Sequence, residues 1–264
     1  MPALDESISH DTTSPPTTTH DGLMSDGASD GVSASDGLSS EKVKTFVFSS
    51  RRTAQDGTQS EESLEVRIPE LLEASYSFYI WPCAPVLALF LWEHRDDLVG
   101  KHVLELGAGT SLPGILASKC GASVTLSDSA NNTRALQHIR RCTELNGIQN
   151  QVRIIGITWG LFLNSLFTLG PLDLIIGSDC FYEPTVFEDI VVIVAFLLEK
   201  NPHARFLCTY QERSADWSIE HFLNKWGLTC THVPLDDLGA NSNVSVDELM
   251  QAHTIHLLDI RRRP

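Results

Sequence analysis

The spacing of hydrophobic and polar positions changes repeatedly along this chain, and each change marks an element. Alternation in Thr45-Phe46-Val47-Phe48 and in Leu64-Glu65-Val66-Arg67-Ile68 predicts two short strands around a polar loop holding Asp56-Gly57, an N-terminal β-hairpin laid on the main domain. Trp81-Pro82 leads into the apolar run Val86 to Trp92, whose length and richness in Leu and Ala favour a buried helix over a strand. Strand-like and helix-like stretches then take turns. Strands are predicted at Val103–Leu106, Ser123–Ser127, Val152–Ile157, Leu172–Gly177, Arg205–Thr209, Leu228–His232 and Thr254–Asp259. Helices are predicted at Leu112–Lys119, at Asn132–Asn146 with Leu136, Ile139 and Leu145 on one face and Gly147 as its stop, at Val186–Lys200 and at Trp217–Trp226. This order implies an α/β fold: a mostly parallel sheet with helices on both faces and right-handed crossovers. The last two strands have no long helix between them, which implies an antiparallel last strand.

Residues 1–42 break the pattern. They are dominated by Ser, Thr, Asp, Gly and Pro, cannot bury enough surface to offset chain entropy, and are expected to form a disordered acidic tail ahead of one catalytic domain at 43–264. Charge follows the same division. Of the net charge of -15, seven acids and no Lys or Arg lie in the first 40 residues, which leaves -8 on the remainder. An acidic domain repels the phosphate backbone, so a cationic partner fits better than direct nucleic-acid binding. Six cysteines are scattered singly without C-x-x-C, and the histidines lack H-x-x-x-H spacing, so neither a zinc cluster, nor a disulfide scaffold, nor any other metal site is expected. No secretory signal and no run of about 18 apolar residues is present, so the expectation is a protein without membrane spans, cytosolic or nuclear.

The chemistry gathers where strands end. Val103-Leu104-Glu105-Leu106 runs into Gly107-Ala108-Gly109 and then a helix, the geometry that lets backbone approach a nucleotide closely. A dinucleotide fingerprint wants a third glycine at 112, but Leu112 stands there and the next glycine is Gly114, which weakens the reading as an NAD-dependent oxidoreductase. Glu105 is an acid in an otherwise apolar strand; it either holds the turn or meets the cationic end of a sulfonium cofactor. Asp128 ends the next strand 19 residues past Gly109, where a carboxylate can accept both hydroxyls of an adenosine ribose or cap the following helix. Thr158-Trp159-Gly160 offers an aromatic face to adenine or to the core, and Ser178-Asp179-Cys180-Phe181-Tyr182-Glu183 leaves a strand too apolar for packing to explain its polar exit.

Together E-L-G-A-G-T-S-L-P-G, the upstream I-W-P, T-W-G and D-C-F-Y-E resemble methyltransferase family 16, a group of seven-strand, Rossmann-like protein methyltransferases, over residues 79–260. The resemblance implies S-adenosylmethionine as cofactor, with Trp81, Gly107, Ala108, Gly109, Asp128, Trp159 and Ser178 lining its site, and a strand order of 3-2-1-4-5-7-6; Glu105 joins the candidate cofactor residues through its own place two residues before the first glycine. It also implies a protein acceptor, with arginine of a histone H3 tail as first choice, a role in chromatin and transcription, and residence in nucleus and cytoplasm. Asp179, Tyr182 and Glu183 are nominated for substrate orientation and proton handling, with Tyr210, Gln211 and Glu212 across from them. Glu183 equally well starts a helix. Lysine of a chaperone-type protein is the rival acceptor, and a non-catalytic cofactor acting with transcription-factor or chaperone partners is the rival outside enzymology.

Overall fold

The computed structural model describes residues 41–53, 59–71, 76–235 and 238–263. The tail up to residue 40 and the Asp56-Gly57 turn lie outside them. Strands β1 (Glu41–Thr53) and β2 (Gln59–Leu71) pair antiparallel along their full length. The tail boundary expected at 42 is therefore corrected: strand begins at Glu41, because the ladder continues through its polar end by pairing Glu41 with Leu71. Alternation explains why the hairpin lies flat. Phe46, Phe48, Val66 and Ile68 point into one core cluster, while the residues between them are more exposed.

That cluster surrounds α1 (Cys83–Glu93), which is buried from Cys83 through Trp92. A helix apolar on every side needs cover on every side. The hairpin supplies part of it.

The central sheet has seven strands in the order β5-β4-β3-β6-β7-β10-β8, namely β3 (His102–Glu105), β4 (Ser123–Asp128), β5 (Arg153–Gly156), β6 (Leu174–Ser178), β7 (Arg205–Gln211), β8 (Leu228–Val233) and β10 (Ile255–Arg262). Counted within the sheet this is 3-2-1-4-5-7-6. The first five strands in that order are parallel, and β10 runs antiparallel to both β7 and β8. Between the strands come α2 (Leu112–Lys119), α3 (Thr133–Leu145), the short α4 (Asn164–Phe167), α5 (Phe187–Lys200) and α6 (Glu220–Lys225). Asn132 caps α3 by accepting the Ala135 N–H at 3.1 Å, and Gly147 follows its end with φ +69°. A two-residue β9 (Asn241–Ser242) adds itself to β1, and α7 (Val246–Ala252) precedes β10. The connection between the last two long strands thus holds this seven-residue helix and no long one. Two apolar clusters lie within this architecture, one around α1 and α2 and the other around α5. All the parallel strands therefore end along one rim.

Candidate active site

At that rim lies a cavity of about 560 Å³. Its floor is the turn after β3. Gly107 and Gly109 take φ of +59° and +49°, and Ser111 is also left-handed at +59°. A Cβ on Gly107 would stand 2.7 Å from Cζ2 of Trp159, so this position combines a left-handed backbone with space for no side chain. Ala108 donates to the Ser127 carbonyl at 2.8 Å, which ties the turn to the end of β4.

Asp128 completes that tie. Its two carboxyl oxygens accept the N–H of Gly109 at 2.9 Å and of Ser129 at 2.8 Å, and each keeps a lone pair for a ligand. Burial pushes this carboxyl up, and the two backbone N–H groups pull it back. The Thr158 hydroxyl takes the Ala130 N–H at 3.0 Å, so the Ile157–Trp159 segment stands directly beside Asp128.

On the far side β6 delivers Ser178 and Asp179 to the cavity wall. Asp179 has φ +56°, uncommon for a residue with a side chain. Its carboxylate is gripped from two sides by Arg213, Nη1 to Oδ1 at 2.8 Å and Nη2 to Oδ2 at 2.6 Å. With the carboxylate side chain 4% exposed and the guanidinium 24%, this is a largely shielded pair. Hydrogen bonds and charge from Asp179 raise the Arg213 pKa. The guanidinium fork of Arg213 thus holds both oxygens of Asp179, one of the three residues nominated for substrate orientation and proton handling, in a fixed position. Tyr182 also lines the cavity, its hydroxyl pushed up by burial. Glu183 lines it too, but caps a short 3-10 turn by accepting Thr185 N–H and Oγ1 at 3.4 and 3.3 Å.

The lip is aromatic. Tyr76 stacks on Trp81 at 5.8 Å, Tyr79 meets it edge-on at 5.2 Å, and Trp81 Nε1 donates to the Tyr76 carbonyl. Tyr76 remains 77% exposed, leaving one ring free for a partner.

Of the residues nominated from sequence, Trp81, Gly107, Ala108, Gly109, Asp128, Trp159, Ser178, Asp179, Tyr182 and Glu183 line this one cavity. Glu105 does not. It is fully buried behind the turn, accepts the Gly114 N–H at 3.1 Å and leaves Oε1 unpartnered, so of its two readings the structure supports the one that holds the turn. Tyr210, Gln211 and Glu212 do not line the cavity either, since the chain turns and presents Arg213 instead.

Residues 60–226 match the sequence profile of methyltransferase family 16, described as lysine methyltransferase. The chain belongs to this family. It is 50% identical over 221 residues to the histone-arginine methyltransferase METTL23 of Xenopus laevis, covering 83% of this chain and 91% of that one. The human protein of that name is 46% identical over 183 residues, covering 69% of this chain and 96% of its own. The protein N-lysine methyltransferase METTL21A of Danio rerio is 35% identical over 149 residues, covering 51% and 66%.

This family 16 methyltransferase uses S-adenosylmethionine, and the cavity fits it. Gly107 and Gly109, both left-handed, bring bare backbone to the cavity floor, where a ligand can approach it closely. Asp128 presents free lone pairs where a ribose diol needs acceptors, and the rings of Trp159 and Trp81 supply apolar walls.

Proposed function

We propose that the enzyme transfers a methyl group from S-adenosylmethionine to arginine side chains of a histone tail, histone H3 first among them. The observation that carries this reading is the cavity's composition: aromatic rings from Tyr76, Tyr79, Trp81 and Tyr182 stand around the same opening as the carboxylates Asp179 and Glu183. Aromatic faces and carboxylates together favour a planar cation. The net charge of -15 adds long-range attraction for a basic tail, and the names of the relatives at 46 to 50% identity support arginine as the acceptor.

The bound cofactor supplies an electrophilic methyl group on a sulfonium, and the transfer is an in-line displacement in which positioning does most of the work. In this reading Asp128 fixes the ribose and the Gly107–Gly109 turn admits the cofactor's methionine end. Asp179, locked by Arg213, contributes a stationary negative charge beside the acceptor. Glu183 is exposed and held only by long hydrogen bonds from Thr185, so it is the carboxylate assigned to take up the acceptor's proton as the new bond forms. The same reading places the protein in nucleus and cytoplasm, with transcription-factor or chaperone partners.

A second reading, lysine as acceptor, is favoured by the family description and the 35% identical lysine methyltransferase. Incubation with radiolabelled S-adenosylmethionine and core histones, beside Asp128→Ala, followed by amino-acid analysis of the labelled band, separates the two. Labelled methylarginine that is lost in the variant supports the proposal; methyllysine moves the assignment to the rival acceptor.

A further inference from the structure

Among the described residues four carboxylates line the cavity, and three are engaged by donors of the same chain: Asp128 by two backbone N–H groups, Asp179 by Arg213, Glu183 by Thr185. The fourth, Asp189, is half-buried in the first turn of α5 and has no hydrogen-bonding partner among the described residues. Its position depends on Gly160. That glycine has φ +76°, and a Cβ there would lie 2.6 Å from Oδ1 and 3.1 Å from Oδ2 of Asp189, so the carboxylate sits against bare backbone directly after Trp159.

We infer that Asp189 reads the base of the cofactor by accepting a hydrogen bond from the 6-amino group of adenine. Asp128 takes the ribose, and Thr158 lies next to it through the 3.0 Å bond from Ala130 N–H. A base carried by that ribose is therefore directed along Ile157, Thr158 and Trp159, the segment that ends at Gly160. The amino group is adenine's only exocyclic donor, and Asp189 is the one cavity-lining carboxylate without a donor among the described residues. An acid in the first turn of a helix also gains from the helix dipole, but that gain does not require it to line a cavity or to press on a glycine. The inference concerns the cofactor and does not depend on which side chain is methylated.

The test is calorimetric titration of the full chain with S-adenosylhomocysteine and with S-inosylhomocysteine, whose base presents an oxygen where adenine has its amino group. Wild type is expected to bind the adenosyl compound about tenfold or more tightly, the effect of one hydrogen bond to a charged acceptor. Asp189→Asn can donate to that oxygen, so its preference should collapse or invert while circular dichroism shows an unchanged fold. Equal wild-type affinities for the two compounds would overturn the inference whether or not the variant folds. So would an unchanged preference in Asp189→Asn. An unchanged preference accompanied by a higher KM for a basic peptide would reassign the carboxylate to the substrate.

Discussion

The residues around the glycine turn show how little freedom the site has. Gly107→Ala introduces a side chain where φ is +59° and where Trp159 is already 2.7 Å away, so both backbone strain of roughly 1 kcal/mol and displacement of the ring follow. The expected outcome is a rise of at least about tenfold in the Kd for S-adenosylhomocysteine, at 1.4 kcal/mol per decade, with the far-ultraviolet spectrum retained; calorimetry with an unchanged Kd would refute it. Glu105 makes a different kind of prediction. Burial pushes its carboxyl well above the ordinary value of 4.5, against the pull of the Gly114 N–H. A carboxyl whose folded pKa is raised binds its proton more tightly when folded, so its contribution to stability falls as pH rises above the unfolded value towards the folded one. Glu105→Gln should therefore gain stability relative to wild type between pH 5 and pH 8 in urea denaturation, and a constant difference would count against the buried-acid account. Glu105 was legible in the sequence as an anomaly, but choosing between its two roles needed the position of Gly114, where a Cβ would run into both Glu105 and Leu126. Arg213 was not legible at all, because its significance is a contact with a carboxylate 34 residues earlier in the chain. Arg213→Ala leaves Asp179 buried without a counter-charge and should cost on the order of 2 kcal/mol of stability, less than for a fully buried pair because the guanidinium is partly exposed. Arg213→Lys should recover most of that stability, but not the kcat that depends on a two-pronged grip. Equal recovery of both would make the geometry of the grip irrelevant.

At the level of elements, alternation and caps were readable wherever packing imposed a period. The parallel strands and α2, α3 and α5 emerged within a few residues of their predicted ends because their apolar faces meet one sheet. The shorter elements near the C-terminus escaped. Yet Ser245-Val246-Asp247-Glu248 carries a capping-box pattern, and Ser245 does accept the Glu248 N–H at 3.2 Å at the start of α7. The hairpin was readable as a hairpin, but its hold on the active-site lip was not. Glu70 of β2, 1% exposed, accepts the Ile80 N–H at 3.1 Å and an ion pair from Lys44 of β1 at 2.9 Å, and the same ammonium lies 5.6 Å from the centre of the Tyr79 ring. Through this one carboxylate the hairpin fixes the segment that carries Tyr79 and Trp81. Glu70→Ala orphans a buried N–H and should cost about 1–3 kcal/mol, together with a raised KM for peptide. Glu70→Gln keeps an acceptor for Ile80 and should lie between that variant and wild type in both thermal melts and peptide KM; a peptide KM unmoved in either variant would show that the hairpin merely covers α1.

Across the whole molecule the charge acts over distances that no single contact reaches. The chain carries a net charge of -15 and its proposed substrate is a basic tail, so encounter is steered by a field that salt screens over about 10 Å at 0.1 M. Raising ionic strength from 50 to 300 mM should increase KM for a histone-tail peptide several-fold through slower association. The Kd for S-adenosylhomocysteine, a compound of no net charge held by short-range contacts, should change little. Because seven of the acids lie in residues 1–37, deleting that segment brings the net charge to -8 and should make the salt dependence of the peptide KM shallower. Every described residue lining the cavity lies between Tyr76 and Arg213, so the same deletion should leave cofactor affinity unchanged. A salt-independent peptide KM would mean that recognition rests on the aromatic lip alone. An unaltered salt slope after the deletion would assign the steering to the acidic surface of the folded domain rather than to the tail.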